Sequence, residues 1–450
     1  MTRIAVVGLG KLGSCMAAVF AAKGFRVTGV DTNPDTVAAV NAGRAPLQEP
    51  DLQDIITRGR QNLRATTRVA DAVQNADVTF IVVPTPSEAD GRFSLVHVRE
   101  AARSVGEALR NAGDYHVVAV TSTVLPGSCE HGVLPVLEKA SGKRCGGGFG
   151  LCYNPEFIAL GSVISDFTHP DLVLIGESDG RAGDTLAGIY QRTCENAPEI
   201  ARMSFASAEL TKVALNSFVT TKISFANTLV AMCEALPGAH VDQVCRALGR
   251  DRRIGSRYLR GGLGYGGPCF PRDSVAFAAM ARNLGQRAPI AEATDVVNTG
   301  VVDRTVEVVR RHAERGARVA VLGLAYKPGT LILERAQGAV IAQRLVAEGR
   351  SVTVFDRMAT PPAAWGVAVA ATPEDAIAAA DVVVLTAADS DLAAVATRAL
   401  ARRGTPAVLI DCWRQVVPGT LPGVVRHVPL GVGATTNEGV ERLKALWSEG

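Results

Sequence analysis

The stretch RIAVVGLGKLGSCMAAVFAAKGFRVTGVD, residues 3–31, leaves few ways for a chain to begin. Residues 3–8 are a short apolar run with β-branched side chains and predict a buried strand. Residues 12–23 have helical apolar spacing, Gly24 predicts the end of that helix, and 26–31 predict a second strand. Gly8, Gly10 and Gly13 stand at the strand-to-helix turn as G-x-G-x-x-G. Gly8 permits the tight turn, Gly10 lets a pyrophosphate approach the backbone, and Gly13 lets helix and strand pack closely. Helix N-terminal amides then face the anion. Asp31 closes the second strand at the distance this fingerprint requires. A carboxylate there accepts hydrogen bonds from a ribose 2′-OH and repels a 2′-phosphate, so the expected cofactor is NAD rather than NADP.

The same texture continues. ADVTFIVVPTP (76–86), YHVVAVTSTV (115–124) and DLVLIGES (171–178) predict further strands. From about 204 to 300 the pattern becomes helical, beginning with SFASAELTKVALNSFVTTKISFANTLVAMCEAL. Strands return in RVAVLGLAYKPGT (318–330), read as strand then turn, and at 351–356, with a helix over roughly 335–348 between them, and ADVVVLTAADS and PAVLIDCWR add two more. The fold class is α/β: two doubly wound domains joined by a central helical region. A chain of 450 residues exceeds one core and accommodates such a division. Its formal net charge of +3 offers no footprint for nucleic acid or a membrane surface. Seven scattered histidines and no C-x-x-C pair predict no metal site. Nine irregularly spaced cysteines predict reduced thiols and a cytoplasmic address. The start enters a strand directly, with no signal peptide, and no apolar run is long enough to span a bilayer.

Two further places invite chemistry. GGLGYGGPCFPRD, residues 261–273, surrounds Cys269 with glycine and proline, so the thiol lies in a bent loop rather than in a regular element. It is either a small buried hydrophobe or a positioned nucleophile. In AELTKVALNSF, Lys212 and Asn216 are four residues apart and share one helix face. Together they can hold a developing oxyanion and a water, although either residue alone is ordinary on a helix. Glu156, in YNPEFIALGS, lies in a proline-bounded loop after a strand, where active-site carboxylates often occur.

The ordered set GLGKLG with Asp31, PLQEPDL (46–52), VPTP (83–86), STVLPGS (122–128), NPEF (154–157), AELTKVALNSF, KISFAN (222–227), DRRIG (251–255), GLGYGGPCFPRD and GLAYKPGT (323–330) resembles the UDP-glucose/GDP-mannose dehydrogenases over nearly the whole length. The resemblance implies two Rossmann-like domains and three regions: 1–200 for NAD, 201–305 for dimerisation and catalysis, and 306–450 for the nucleotide of the sugar. It implies a homodimer. It also implies four-electron oxidation of a nucleotide-sugar C6 alcohol to the uronic acid, with UDP-glucose first on base rate, through a thiohemiacetal and a thioester on Cys269. By position, Lys212 stabilises the oxyanion, and Asp273 and Asn216 hold a water. Glu156 is a base for hydrolysis and Thr123 orders the site around it. Cofactor contacts are implied at Gly8, Gly10, Leu12, Gly13, Asp31, Thr85, Thr123 and Arg272. Substrate contacts are implied at Phe157, Ile158, Lys212, Asn216, Arg253, Tyr258, Leu259, Arg260, Gly261, Gly262, Gly266, Gly267 and Lys327.

The pattern breaks in four places. Leu160 stands where the family carries a glutamate. Leu331 and Ile332 replace two acids, and Glu334 replaces a cofactor-facing arginine, with Arg335 one step on. On a helix one step turns a side chain by about 100°, so Arg335 is no automatic substitute. Trp413 stands at an expected arginine, with Arg414 beside it, and Pro268 replaces the usual serine before the cysteine. These departures predict a divergent member. The alternatives are another substrate (a UDP-N-acetylhexosamine or GDP-mannose) or a non-oxidising nucleotide-sugar enzyme with tightly held NAD. A 3-hydroxyacid dehydrogenase also places lysine and asparagine in this way, but lacks the Cys269 loop and the third region.

Overall fold

Alternate residues of one strand enter two different cores, and this organises each half of the protein. In the computed structural model, which describes residues 2–314, 316–434, 437–445 and 447, the chain forms two compact units, residues 1–215 and 216–450.

In the first unit, β1 (Arg3–Val7), β2 (Arg26–Val30), β3 (Leu63–Thr66), β4 (Val78–Ile81), β5 (His116–Val120), β6 (Phe149–Tyr153), β7 (Leu172–Glu177) and β8 (Glu199–Met203) form one sheet in the order β3-β2-β1-β4-β5-β6-β7-β8. Every pair is parallel except β6 with β7, which is antiparallel. Ile4 and Val6 pack with Phe20, Phe25, Phe80 and Phe167 on one face. Ala5 and Val7 pack with Val105, Leu109 and Leu137 on the other. A parallel sheet covered on both faces needs such continuous apolar strands.

The second unit repeats this. β9 (Arg318–Leu322), β10 (Ser351–Phe355), β11 (Ala368–Val369), β12 (Val382–Leu385), β13 (Ala407–Asp411) and β14 (Val425–Pro429) pair in the order β11-β10-β9-β12-β13-β14, all parallel. Val319 and Val321 face one core, and Ala320 and Leu322 the other.

Both ends are thus doubly wound, as the sequence predicts. The strands at 76–86 and 115–124 are shorter than expected, because the residues past Ile81 and Val120 have left the ladder to form loops. β3, β6, β8, β11 and β14 have no counterpart in the sequence reading. β3 and β8 lack a clean apolar run, and β6 follows three glycines. The helix Phe205–Ala235 runs unbroken through 31 residues. Its burial mixes polar with apolar residues. Glu209, Lys212, Asn216, Thr220, Ser224 and Asn227 are buried, while Phe218, Phe225 and Met232, seven residues apart, are exposed. Among the described residues no helix is long and apolar enough to cross a membrane.

Candidate active site

The glycine turn of the first unit is built as its sequence predicts. Gly8 has φ +100°, and a Cβ on it would lie 2.2 Å from the Val82 carbonyl oxygen. A Cβ on Gly13 would lie 1.8 Å from the Gly8 carbonyl oxygen, so no side chain is tolerated where helix meets strand. Around Gly10 a Cβ would meet nothing within 4 Å. Glycine there keeps the space outside the turn open, as a pyrophosphate on the N-terminus of the helix Lys11–Ala22 requires. Leu12 packs against the adjoining core. Asp31 Oδ2 accepts the Leu9 amide at 2.8 Å and Oδ1 accepts the Asn33 amide at 2.9 Å. An ionised carboxylate has about four acceptor positions, so capacity for a ribose hydroxyl remains. The residues present therefore fit a dinucleotide.

Thr85 and Thr123 are joined, the Thr85 hydroxyl donating to the Thr123 carbonyl at 2.8 Å. The loop that carries Thr123 is fastened by a residue absent from the sequence reading. The buried Glu209 carboxylate accepts the Gly127 amide at 2.6 Å and the Cys129 amide at 2.7 Å. Burial raises this carboxyl above the ordinary range. One helical turn on, Lys212 is buried, donates to the Glu156 carbonyl, and lies 3.9 Å from Glu156 Oε1 and 4.8 Å from the Phe157 ring centroid. Glu156 Oε2 accepts the Ile158 amide at 2.6 Å, which turns the NPEF loop back on itself. Glu156, Phe157, Ile158 and Lys212 thus form one cluster. Leu160 packs against the apolar core.

In the second unit, Cys269 is exposed and stands at the N-terminus of the helix Phe270–Asn283, with Pro271 in its first turn. One turn on, Asp273 is buried, and its Oδ2 accepts from Asn216 Nδ2 at 2.7 Å. Arg272 Nε is 3.3 Å from Asp273 Oδ1. Pro268 costs no amide bond of this helix, whose first backbone hydrogen bond runs from the Asp273 amide to the Cys269 carbonyl.

The glycines before the cysteine have specific reasons. A Cβ on Gly261 would lie 2.4 Å from Val230, and one on Gly262 2.5 Å from the Trp413 ring. A Cβ on Gly266 would lie 2.4 Å from the Arg335 carbonyl oxygen, and one on Gly267 2.7 Å from the Tyr326 ring. Gly267 also donates to the Glu334 carbonyl at 2.9 Å. The altered 331–335 stretch therefore braces the cysteine loop through its backbone. Arg335 has φ +48°, outside any helix, so the helical-step reasoning applied to it in the sequence does not hold. Leu259 is buried, and Asn227 holds the loop on both sides, accepting the Gly262 amide at 2.9 Å and donating to the Leu263 carbonyl at 3.2 Å. Asn227 was visible only as part of KISFAN, since a buried amide in a helix carries no spacing signal.

Tyr258 has φ +62° and meets Phe270 edge-on at 6.1 Å. Lys327 lies 5.9 Å from the Tyr326 ring centroid. Arg253 is exposed and engages Asp251 rather than any of these groups, its Nη2 lying 2.6 Å from Oδ2.

Family models match the chain in three consecutive blocks. The NAD binding domain of the UDP-glucose/GDP-mannose dehydrogenase family matches residues 2–194, the central domain 206–300 and the UDP binding domain 320–418. The chain belongs to the UDP-glucose/GDP-mannose dehydrogenase family. It is similar to the UDP-glucose 6-dehydrogenase of Haloferax volcanii, 39% identical over 361 residues that span 79% of this chain and 84% of the relative. The GDP-mannose 6-dehydrogenase of Pseudomonas putida is 35% identical over 359 residues, 79% of this chain and 80% of that protein. The solved UDP-glucose dehydrogenase of Pyrobaculum islandicum superposes with a TM-score of 0.85 at 33% identity, covering 96% of this chain and 98% of that one. This family member is an NAD-dependent nucleotide-sugar dehydrogenase. Its cofactor is NAD, and the Gly8–Gly13 turn with Asp31 has the form to hold it.

Proposed function

We propose that the enzyme oxidises the C6 alcohol of UDP-glucose to the uronic acid through a covalent thioester on Cys269. The observation that carries this is the helix start at Cys269. The thiol stands exposed at the N-terminus, where partial positive charge favours an anion, and one turn away a buried Asp273 carboxylate is held by the Asn216 amide. When bound, NAD supplies hydride acceptance. The side chains do the rest. Lys212 offers a buried cation to the oxygen that gains charge as the alcohol is oxidised and as the thiol adds to the aldehyde. Cys269 keeps the aldehyde attached between the two oxidations. Asp273 and Asn216 hold the water that cleaves the thioester, Glu156 takes its proton, and Thr123 orders that neighbourhood.

In this reading Gly8, Gly10, Leu12, Gly13, Asp31, Thr85, Thr123 and Arg272 contact the cofactor. Phe157, Ile158, Arg253, Tyr258–Gly262, Gly266, Gly267 and Lys327 contact the nucleotide sugar. Residues 1–200, 201–305 and 306–450 act as the cofactor, catalytic and nucleotide regions. The enzyme works as a homodimer, supported by exposed Phe218, Phe225 and Met232 on one helix and Ile290 and Val296 on another. A cytoplasmic address fits nine cysteines that are all thiols.

The test is NADH formed per sugar consumed, across UDP-glucose, UDP-galactose, the UDP-N-acetylhexosamines and GDP-mannose. Two NADH per UDP-glucose are expected, with Cys269→Ser unable to release the acid. One NADH per sugar would overturn the thioester route. A clearly better substrate than UDP-glucose would overturn the substrate assignment.

A further inference from the structure

In a doubly wound sheet, ligands bind outside the carboxyl ends of the strands where the strand order reverses. In the second sheet that point lies between β9 and β12. The residues just past these strands are linked in a row. Thr386, after β12, donates its hydroxyl to the Leu322 carbonyl at 2.8 Å and to the carbonyl of Gly323, after β9. Trp413, after β13, donates its indole N–H to the Thr386 carbonyl at 2.8 Å. The Arg260 guanidinium lies 5.2 Å from the Trp413 ring centroid. We propose that Trp413 is a positioning residue that holds Arg260 beside this switch point, where its guanidinium binds the diphosphate of the nucleotide sugar.

Three observations carry the assignment. Arg260 is exposed and, among the described residues, makes no ion pair, so its charge is available to an anion. The loop cannot drift from the indole, because Gly262 packs against the ring so closely that a Cβ would lie 2.5 Å away. The neighbouring Arg414 cannot do the same work. It has φ +54° and a side chain only 4% exposed, pairs with both oxygens of Asp242 at 2.8 Å, and donates to the Gly261 carbonyl at 2.6 Å and the Leu430 carbonyl at 2.8 Å. Arg414 fastens the loop, and Trp413 lies against Arg260, an exposed cation of that loop. An aromatic face suits a guanidinium that must stay planar and desolvated on one side while offering its N–H groups to phosphate oxygens. The departure at 413 is then a relocation: the indole stands at the expected arginine, and a guanidinium reaches the same edge from the loop.

This inference rests on the nucleotide-sugar reading, and calorimetric titration of the full-length enzyme with UDP and with GDP separates the two. Arg260→Ala is expected to weaken UDP binding about tenfold or more and to flatten its salt dependence. Trp413→Ala should weaken it about fivefold, and Trp413→Phe should stay within about twofold of wild type, as expected of a cation–π contact. The double variant Arg260→Ala/Trp413→Ala should be no weaker than Arg260→Ala, because the indole acts through the arginine. With UDP-glucose, Trp413→Ala should raise KM and leave kcat and NAD affinity near wild type. Equal UDP affinity in Trp413→Ala and wild type, or additive losses in the double variant, would overturn the inference. A loss in Trp413→Ala that Trp413→Phe fails to restore would also overturn it, since a structural defect alone would then account for the change. If wild-type enzyme bound neither UDP nor GDP, it is the substrate class that would fall.

Discussion

Gly8 and Gly323 turn the chain in nearly the same way, with φ of +100° and +105°. Each is closed by a second glycine in the following helix. A Cβ on Gly13 would lie 1.8 Å from the Gly8 carbonyl oxygen, and one on Gly338 would lie 2.2 Å from that of Gly323. Each turn is also tied to an aspartate at the end of the next strand, Asp31 in one and Asp356 in the other. The difference lies in what surrounds this shared frame. In the first unit the helix starts at Lys11, directly after Gly10, so its N-terminal amides reach the turn. In the second it starts only at Gln337, and residues 324–336 fill the interval. Asp31 accepts two amides, whereas Asp356 accepts four, from Leu324, Ala325, Met358 and Ala359. A carboxylate with four amide partners has no acceptor position left for a ribose. One frame thus makes an open dinucleotide turn, and the other makes a locked platform on which the loop with Lys327 is built. A glycine turn signals backbone geometry; the unfilled acceptors signal the ligand.

The sharpest way to break this comparison is to fill the two tightest contacts. Gly13→Ala and Gly338→Ala each force a methyl into a carbonyl oxygen, at a cost of about 3 kcal/mol, or about 100-fold in binding. Gly13→Ala should weaken NAD binding by about that factor and spare UDP binding, and Gly338→Ala should do the reverse. Loss of both ligands in either variant, measured by calorimetry, would show that the two turns are not separate devices.

The aspartates should differ next. Asp356→Asn sets an amide N–H against amide donors and should lower the free energy of unfolding by about 3 kcal/mol, leaving NAD affinity unchanged. Asp31→Asn should cost about 1 kcal/mol and lower the preference for NAD over NADP about tenfold. Denaturant midpoints and the two dissociation constants read this out. Equal stability losses would mean that Asp356 is no more committed than Asp31.

The smallest effect comes from a pair of caps that also repeats. Asp77, just before β4, binds the Arg3 amide at 2.8 Å and its guanidinium at 2.6 Å. Asp381, just before β12, does the same to Arg318, at 2.9 Å each. Burial raises the Asp77 carboxyl, but the Arg3 bonds outweigh it and the net shift is down. The Asp381 carboxyl is lowered chiefly by its bond to the Arg318 side chain. A carboxyl lowered in the folded state stabilises the protein above its unfolded value, about 3.9, and loses that effect as pH falls through the folded value. Both carboxylates are substantially exposed, so solvent screening limits each pair to under about 1 kcal/mol. Asp77→Asn and Asp381→Asn should therefore lower Tm slightly at pH 7, and the difference should begin to shrink below about pH 4 and disappear only once the pH is below the lowered folded values. A difference that persisted at lower pH would mean that the carboxylate charge is not its source.

How much was legible follows from the range of each signal. The Gly8–Gly13 turn, Asp31 and the long helix are local, and their spacing reports them; the bent loop around Cys269 was legible too, but not that the thiol stands at the start of the helix Phe270–Asn283. Asp356 lay in view at the end of a predicted strand, but its four amide partners did not, because Met358 and Ala359 carry no motif. Glu209 sat inside AELTKVALNSF, three residues before Lys212, and nothing in its spacing distinguished it; its role shows only in its two amide partners. The buried polar residues of Phe205–Ala235 were hidden for a similar reason. Helical periodicity reports an alternation of polar and apolar faces, and it does not say which polar residues are buried.

The sequence by itself determined the two doubly wound sheets, the dinucleotide turn and the order of the motifs, since each rests on short-range sterics and periodicity. Only the tertiary structure decided that Gly323 pairs with Gly338, that Arg414 is consumed by Asp242 and three carbonyls, and that Arg260 rests on Trp413. These contacts join residues distant in the chain, and which donor meets which acceptor is settled only when the backbone has brought them within hydrogen-bonding range.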